Sequence, residues 1–180
     1  MTTVMVDQGP RRPLPEEQRP HRRVVVTMAE ATMADAPAVL AMVTRCSPMS
    51  LFHRFHGFTD GLAYTRAVLD PQPGSETLVA WNGADCVGLA TLGRDDVGAA
   101  HLGVLVEDAW QRRGVGSRLI TALLDGARAR GVSTAHADIL ADDRFIIRAL
   151  RRLGPLMVRF GQGTLSVDIT LGCDRAADHG

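Results

Sequence analysis

The stretch H-L-G-V-L-V-E-D-A-W-Q-R-R-G-V-G-S-R-L runs from His101 to Leu119 and carries most of the information in this sequence. Its first half is near-continuously apolar, as in a central strand. The strand is expected to end at Val106. A short loop then closes in Gln111-Arg112-Arg113-Gly114-Val115-Gly116, and a long helix begins at once. Glycines at such a junction let the backbone approach a ligand closely. The first turn of a helix leaves N–H groups without partners and carries a partial positive charge. Strand, glycine loop and helix start together form a cradle for an anion such as a pyrophosphate.

Outward from this stretch the hydrophobic period changes twice. Upstream, Thr77 to Trp81 and Cys86 to Leu92 alternate as strands around the turn signal Asn82-Gly83, and Ala99 to Val106 follows as the third. Further upstream, Val24-Val25-Val26 is expected to open the domain as a short strand. Thr32 or Asp35 caps a helix over Ala36 to Arg45, which Pro48 ends. Short helical pieces follow over Ser50–Phe58 and Gly61–Leu69. Downstream, Gly116 to Arg130 is amphipathic, with Leu119, Ile120, Leu123, Leu124 and Ala127 on one side. A strand over Ser133–Leu140, a helix to Leu153, and a hairpin of Leu156–Phe160 with Thr164–Thr170 complete the pattern. The order implies an α+β, or mixed α/β, sheet with helices on both faces. Residues 1–23, with four prolines and no apolar period, are expected to be disordered, and residues 173–180 to form a flexible polar end.

Composition narrows the function classes. The chain has 180 residues, 46% of them apolar, and a formal net charge of zero. That suits one globular domain and gives no global pull toward nucleic acid or an anionic membrane. No run is long enough for a membrane span, and the N-terminus lacks the apolar core of a signal peptide. Every basic residue is arginine; without lysine, the protein offers no lysine side chain of its own for modification. Cys46, Cys86 and Cys173 are odd in number and far apart, which argues against a disulfide framework or zinc site and for a reducing, cytoplasmic setting.

Three phosphate-binding families use a loop of this kind. A P-loop needs Gly-Lys-Ser/Thr, which a chain without lysine cannot supply. A dinucleotide fingerprint needs G-x-G-x-x-G early in a βαβ unit. Here the spacing is Q-x-x-G-x-G, after three antiparallel strands. Q-R-R-G-V-G following L-G-V-L-V-E-D-A-W resembles the acetyl-CoA signature of the GNAT N-acetyltransferase superfamily, over about Val24 to Leu171. The resemblance implies the GNAT fold: a central mixed, mostly antiparallel twisted sheet with helices on both faces. It also implies roles. Val104, Leu105 and Val106 would present strand backbone to the pantetheine arm of acetyl-CoA. Arg112, Arg113, Gly114, Val115, Gly116 and Ser117 would give N–H groups to the pyrophosphate. Asp143 falls where many members have a pantetheine-contacting asparagine, and an ionised aspartate has no such donor. The segment from Cys46 to His56 is similar to the S-P-x-S-x-x-x-R-F segment of actinobacterial-type protein-lysine acetyltransferases.

Acyl transfer to an amine needs a base. His101 stands where the lysine-acetyltransferase subgroup has a glutamate, and is the candidate catalytic residue; Glu107 and Asp108 are alternatives. The tyrosine general acid of many members has no counterpart between Phe145 and Pro155, and Tyr64 lies elsewhere. Arg148, Arg151 and Arg152 form either a solvated helix face or a site for the 3′-phosphate. His53-x-x-His56 lacks a third ligand, and no metal is expected. Trp81 and Trp110 read as packing residues, and Asp95 and Asp96 as turn residues. The expected function is acetyl transfer from acetyl-CoA to a primary amine, of a protein lysine or a small molecule, in a ternary complex without a covalent enzyme intermediate. The chain is expected to act as a monomer or homodimer, without nucleic-acid or membrane partners. The alternative is an acyl-CoA-binding module without turnover.

Overall fold

The structure is a computed structural model that describes residues 26–57, 60–70, 73–94, 100–140, 144–161 and 163–172. The expectations for residues 1–23 and 173–180, and for Asp95, Asp96 and Asp143, concern residues outside these. Seven strands form one sheet: β1 (Thr27–Glu30), β2 (Glu76–Asn82), β3 (Asp85–Arg94), β4 (Ala100–Val106), β5 (Thr134–Leu140), β6 (Leu156–Phe160) and β7 (Thr164–Thr170). Their order across the sheet is β1-β2-β3-β4-β5-β7-β6. All neighbours are antiparallel except β4 and β5. The helices are α1 (Ala36–Arg45), α2 (Pro48–Phe55), α3 (Gly61–Leu69), α4 (Val115–Ala129) and α5 (Arg144–Leu150).

Because side chains alternate across a strand, the sheet buries two apolar faces. On one, Leu119, Ile120, Leu123, Leu124 and Ala127 of α4 pack with Ala80, Ala90, Leu102 and Val167. On the other, Val39, Met42 and Val43 of α1 meet Tyr64 and Leu69 of α3 over Val79, Leu89 and Leu105. Each fully buried leucine or valine contributes about 1.5–3 kcal/mol of transfer free energy, so both layers are strongly held. The expected mixed, mostly antiparallel sheet with helices on both faces is what forms.

Three local expectations need correction. The first strand described is Thr27–Glu30; of the expected Val24–Val26, Val26 is buried and outside any strand, and Val24 and Val25 lie outside the described residues. β1 is an edge strand, mostly exposed, so it lacks the apolar run that marks a buried strand. Pro48 does not merely end a helix: it opens α2, with Ser47 as the N-cap whose side chain accepts from the Ser50 N–H. α5 stops at Leu150 rather than Leu153, where it passes into a turn.

The β4–β5 seam positions the site. These strands are paired only at Ala100↔Ala135 and His101↔His136. β4 remains fully paired with β3 on its other side, from Arg94↔Ala100 to Gly88↔Val106. Beyond His101, the edge of β4 that faces β5 therefore has no strand neighbour among the described residues, and the sheet parts.

Candidate active site

The parting of β4 and β5 opens into a cleft of about 870 Å³. That is within the usual range for a site that takes a small molecule or cofactor. Its floor is Val104, Leu105 and Val106. The start of α4 contributes Gly114, Gly116 and Ser117, with Arg112 beside them. α2 and its cap supply Ser47, Met49, Ser50, His53 and Arg54, and Arg148 and Arg152 stand opposite. The residues named from the sequence thus converge, with exceptions. Arg113 turns outward, its guanidinium 5.6 Å from the centre of the Trp110 ring. Val115 buries its side chain in the core. Arg151 does not line the cleft among the described residues.

The loop geometry follows from its glycines. Arg112 and Gly114 both have positive φ, 55° and 81°. Gly114 is the N-cap of α4 in the left-handed region, a conformation that strains a residue with a Cβ. The turn aims the helix start at the cleft. No side chain caps α4, and the first N–H to find a helical partner belongs to Arg118, bonded to the Gly114 carbonyl at 3.1 Å. The N–H groups ahead of it keep the donor capacity and partial positive charge of a helix start. Gly116 faces the strand: a methyl there would meet Val106 Cγ2 at 3.4 Å, ordinary contact.

Gln111 and Asp108 also line the cleft, and both they and Glu107 are tied to neighbouring residues. Gln111 Nε2 donates to the Val106 carbonyl at 3.0 Å and to Ser50 Oγ at 2.8 Å. Asp108 accepts from the Ser47 N–H at 2.8 Å, the Ser47 hydroxyl at 2.6 Å and the Ser50 hydroxyl at 3.0 Å. Burial pushes the Asp108 carboxyl up, but these hydrogen bonds outweigh it and hold it below the usual value, which weakens it as a base. Glu107 pairs with Arg45 at 2.9 Å.

His101 lies at the closed end of the seam, outside the cleft lining. It shares a sheet face with Gly103 and thus with α2. Its Nε2 is 3.5 Å from Asp138 Oδ2, and the His101 and His136 ring centres are 5.5 Å apart. Tyr64 is buried edge-on against Phe55, its hydroxyl without a hydrogen-bond partner among the described residues, and burial raises its pKa. Burial likewise pushes the Cys46 thiol to about 12 and the Cys86 thiol to about 11, so neither supplies a thiolate near neutrality.

Sequence reasoning missed Arg54 as a wall of the cleft. Its guanidinium lies over the Phe55 and Tyr64 rings at 5.3 and 5.6 Å, and one nitrogen reaches Thr91 Oγ1 at 3.3 Å. Gly103 is the local signal: a methyl on it would overlap that guanidinium. Also missed were His136, Asp138, Ser166 and Asp168. Their signal was polar residues two apart on apolar strands.

A model of the Acetyltransferase (GNAT) family matches residues 45–154. None of the curated proteins matches the chain. Among solved structures, the chain is similar to the GNAT domain of S. lividans PAT, with TM-score 0.72 and 22% identity over 80% of this chain and 89% of that one. It is similar to the ribosomal-protein-alanine N-acetyltransferase from Brucella melitensis, with TM-score 0.64 and 24% identity over 81% and 99%. It is also similar to yncA from Salmonella typhimurium, solved with its cofactor acetyl-CoA, with TM-score 0.63 and 23% identity over 87% and 100%.

Proposed function

From the premise that the chain belongs to the GNAT acetyltransferase family, we propose that it moves an acetyl group from acetyl-CoA to a primary amine by direct attack within a ternary complex. One observation carries this reading. The uncapped start of α4 and the unpaired edge of β4 open into the same cleft. N–H groups at Gly114, Val115, Gly116 and Ser117 suit a pyrophosphate, and Arg112 stands beside them. The free backbone edge at Val104, Leu105 and Val106 suits the amides of the pantetheine arm. Arg148 and Arg152, on the opposite wall, suit the 3′-phosphate. Arg113 contributes backbone alone, and Asp143 is given no part.

Acetyl-CoA supplies an activated thioester. The amine nitrogen bonds to its carbonyl carbon, the carbon–sulfur bond breaks, and coenzyme A leaves as the thiol. In the base role, His101, which lies outside the cleft lining, takes the amine proton directly or through a water. Tyr64 is buried and does not line the cleft among the described residues, so solvent returns the proton to sulfur. The acceptor is the amine of a protein lysine or of a small molecule.

A second reading, an acyl-CoA-binding module without turnover, draws on the position of His101 outside the cleft lining and on the burial of Tyr64. Free-thiol release over a panel of amines separates the two, since only the enzyme responds to amine. Two variants test the parts. Gly116→Glu is expected to fold and to abolish acetyl-CoA binding by isothermal titration, because it sets a like charge where the pyrophosphate lies; retained affinity refutes the cleft assignment. His101→Ala is expected to lower kcat about 10²–10⁴-fold with acetyl-CoA affinity kept. Wild-type turnover in that variant removes His101 as the base.

A further inference from the structure

Beyond the closed end of the cleft, three strands bring two imidazoles and two carboxylates to one face of the sheet. The parallel pairing sets His101 beside His136. The antiparallel pairing sets Asp168 across from His136, and Ser166 across from Asp138. His101 Nε2 lies 3.5 Å from Asp138 Oδ2, and His136 Nε2 lies 3.3 Å from Asp138 Oδ1. One nitrogen from each histidine and one Asp138 oxygen all fall within 4.8 Å of one another.

We propose that His101, His136 and Asp138 form a binding site for a divalent transition-metal ion of the zinc class. The distances favour this over a plain hydrogen-bond network. Good N–H···O bonds cluster near 2.9–3.0 Å. Zinc holds nitrogen and oxygen ligands at about 2.0–2.2 Å, and tetrahedral geometry then spaces neighbouring ligand atoms roughly 3.3–3.5 Å apart. The spacings from His101 and His136 to Asp138, 3.5 and 3.3 Å to separate carboxylate oxygens, fall in that range, and one ligand atom from each of the three residues lies within 4.8 Å of the others.

A second layer of residues orients the ligands. His136 Nδ1 lies 2.8 Å from Asp168 Oδ1. An N–H donated there fixes the tautomer and leaves the Nε2 lone pair facing Asp138, the carboxylate–histidine arrangement that supports bound zinc. Arg159 holds Asp168 from the other side. The Ser166 hydroxyl donates to Asp138 Oδ1 at 2.8 Å and steadies the carboxylate. With neutral imidazoles, two carboxylates and one guanidinium leave a net negative charge to receive a cation. Two imidazoles and one carboxylate suit zinc and its neighbours rather than magnesium or calcium. The His101 and Asp138 side chains are 36% and 40% exposed, so an ion has a path in and its fourth position stays open to water.

A bound ion occupies the His101 Nε2 lone pair. If the proposed base role holds, metal and acceptor proton compete for one atom, and the loaded protein is silent.

The experiment titrates Co²⁺ into the chelator-stripped full chain and follows the visible bands of low-symmetry Co²⁺, with stoichiometry from calorimetry. One ion per chain with intense bands, displaced by Zn²⁺, is expected. His136→Ala should abolish the bands in a protein whose circular dichroism is unchanged. Asp168→Asn should keep the stoichiometry and weaken affinity about 10–100-fold, the usual effect of losing such a supporting partner. Equal Co²⁺ affinity and spectra in wild type and His136→Ala would overturn the site. Zn²⁺ inhibition, scaled to each protein's chelated rate, should appear in wild type and vanish in His136→Ala. Failure of the base role is separately visible, as a wild-type rate in chelated His101→Ala with the metal spectra intact.

Discussion

Gly103 and Arg54 act as one unit. Any side chain at position 103 would overlap the guanidinium lying on β4, so the glycine is the condition for Arg54 to be there. That guanidinium packs against Phe55 and Tyr64 and keeps a buried Nε without a hydrogen-bond partner among the described residues. Because it ends a flexible side chain, Gly103→Ala is expected to displace it rather than break the fold, at a cost of about 1–3 kcal/mol. In an Arg54→Ala background the same change should cost less. A double-mutant cycle by urea denaturation is expected to show coupling of about 0.5–3 kcal/mol. Strict additivity would show that the two residues do not constrain each other.

At the next scale, the β4–α4 loop and α2 are fastened together. Asp108 takes three hydrogen bonds from Ser47 and Ser50, and Gln111 joins Ser50 to the end of β4. The Asp108 carboxyl is held below its ordinary value in the fold. A depressed carboxylate stabilises the fold above its unfolded value and loses that contribution as pH falls through the folded one. Thermal midpoints followed from neutral pH down through the carboxylate range should therefore fall less steeply in Asp108→Asn than in wild type. Identical profiles would mean the clamp carries no pH-dependent stability.

This fastening also shows what the sequence can carry. The strand, glycine loop and helix from His101 to Leu119 were readable because each has a local period or a residue with a special backbone role. Gly61–Leu69, Leu156–Phe160 and Thr164–Thr170 were read with the bounds observed. Thr27–Glu30 was not read as a strand because an exposed edge strand has no apolar run. The bonds of Gln111, Glu107 and Asp108 were not legible because their partners, Ser50, Arg45 and Ser47, lie about sixty positions earlier. His136, Asp138 and Asp168 converge only through the β5–β7 register, which no local pattern encodes.

For the whole molecule, the sheet is two pieces, β1 to β4 and β5-β7-β6, joined by a seam of two residue pairs. On the proposed reading, acetyl-CoA binds across that opening and should stabilise the fold by mass action, by about 2.7 kcal/mol at a hundredfold excess over Kd. Differential scanning fluorimetry should show the rise, and hydrogen exchange should slow at Leu102–Val106 and Ile139–Leu140; an unchanged midpoint at saturating acetyl-CoA would count against binding there. An open seam has a consequence for the protein's lifetime. Protease cuts what transiently unfolds, so a chain whose halves are bridged by a metabolite becomes harder to degrade as that metabolite accumulates. Its half-life in a starved extract should be shorter than in a fed one, with synthesis held constant.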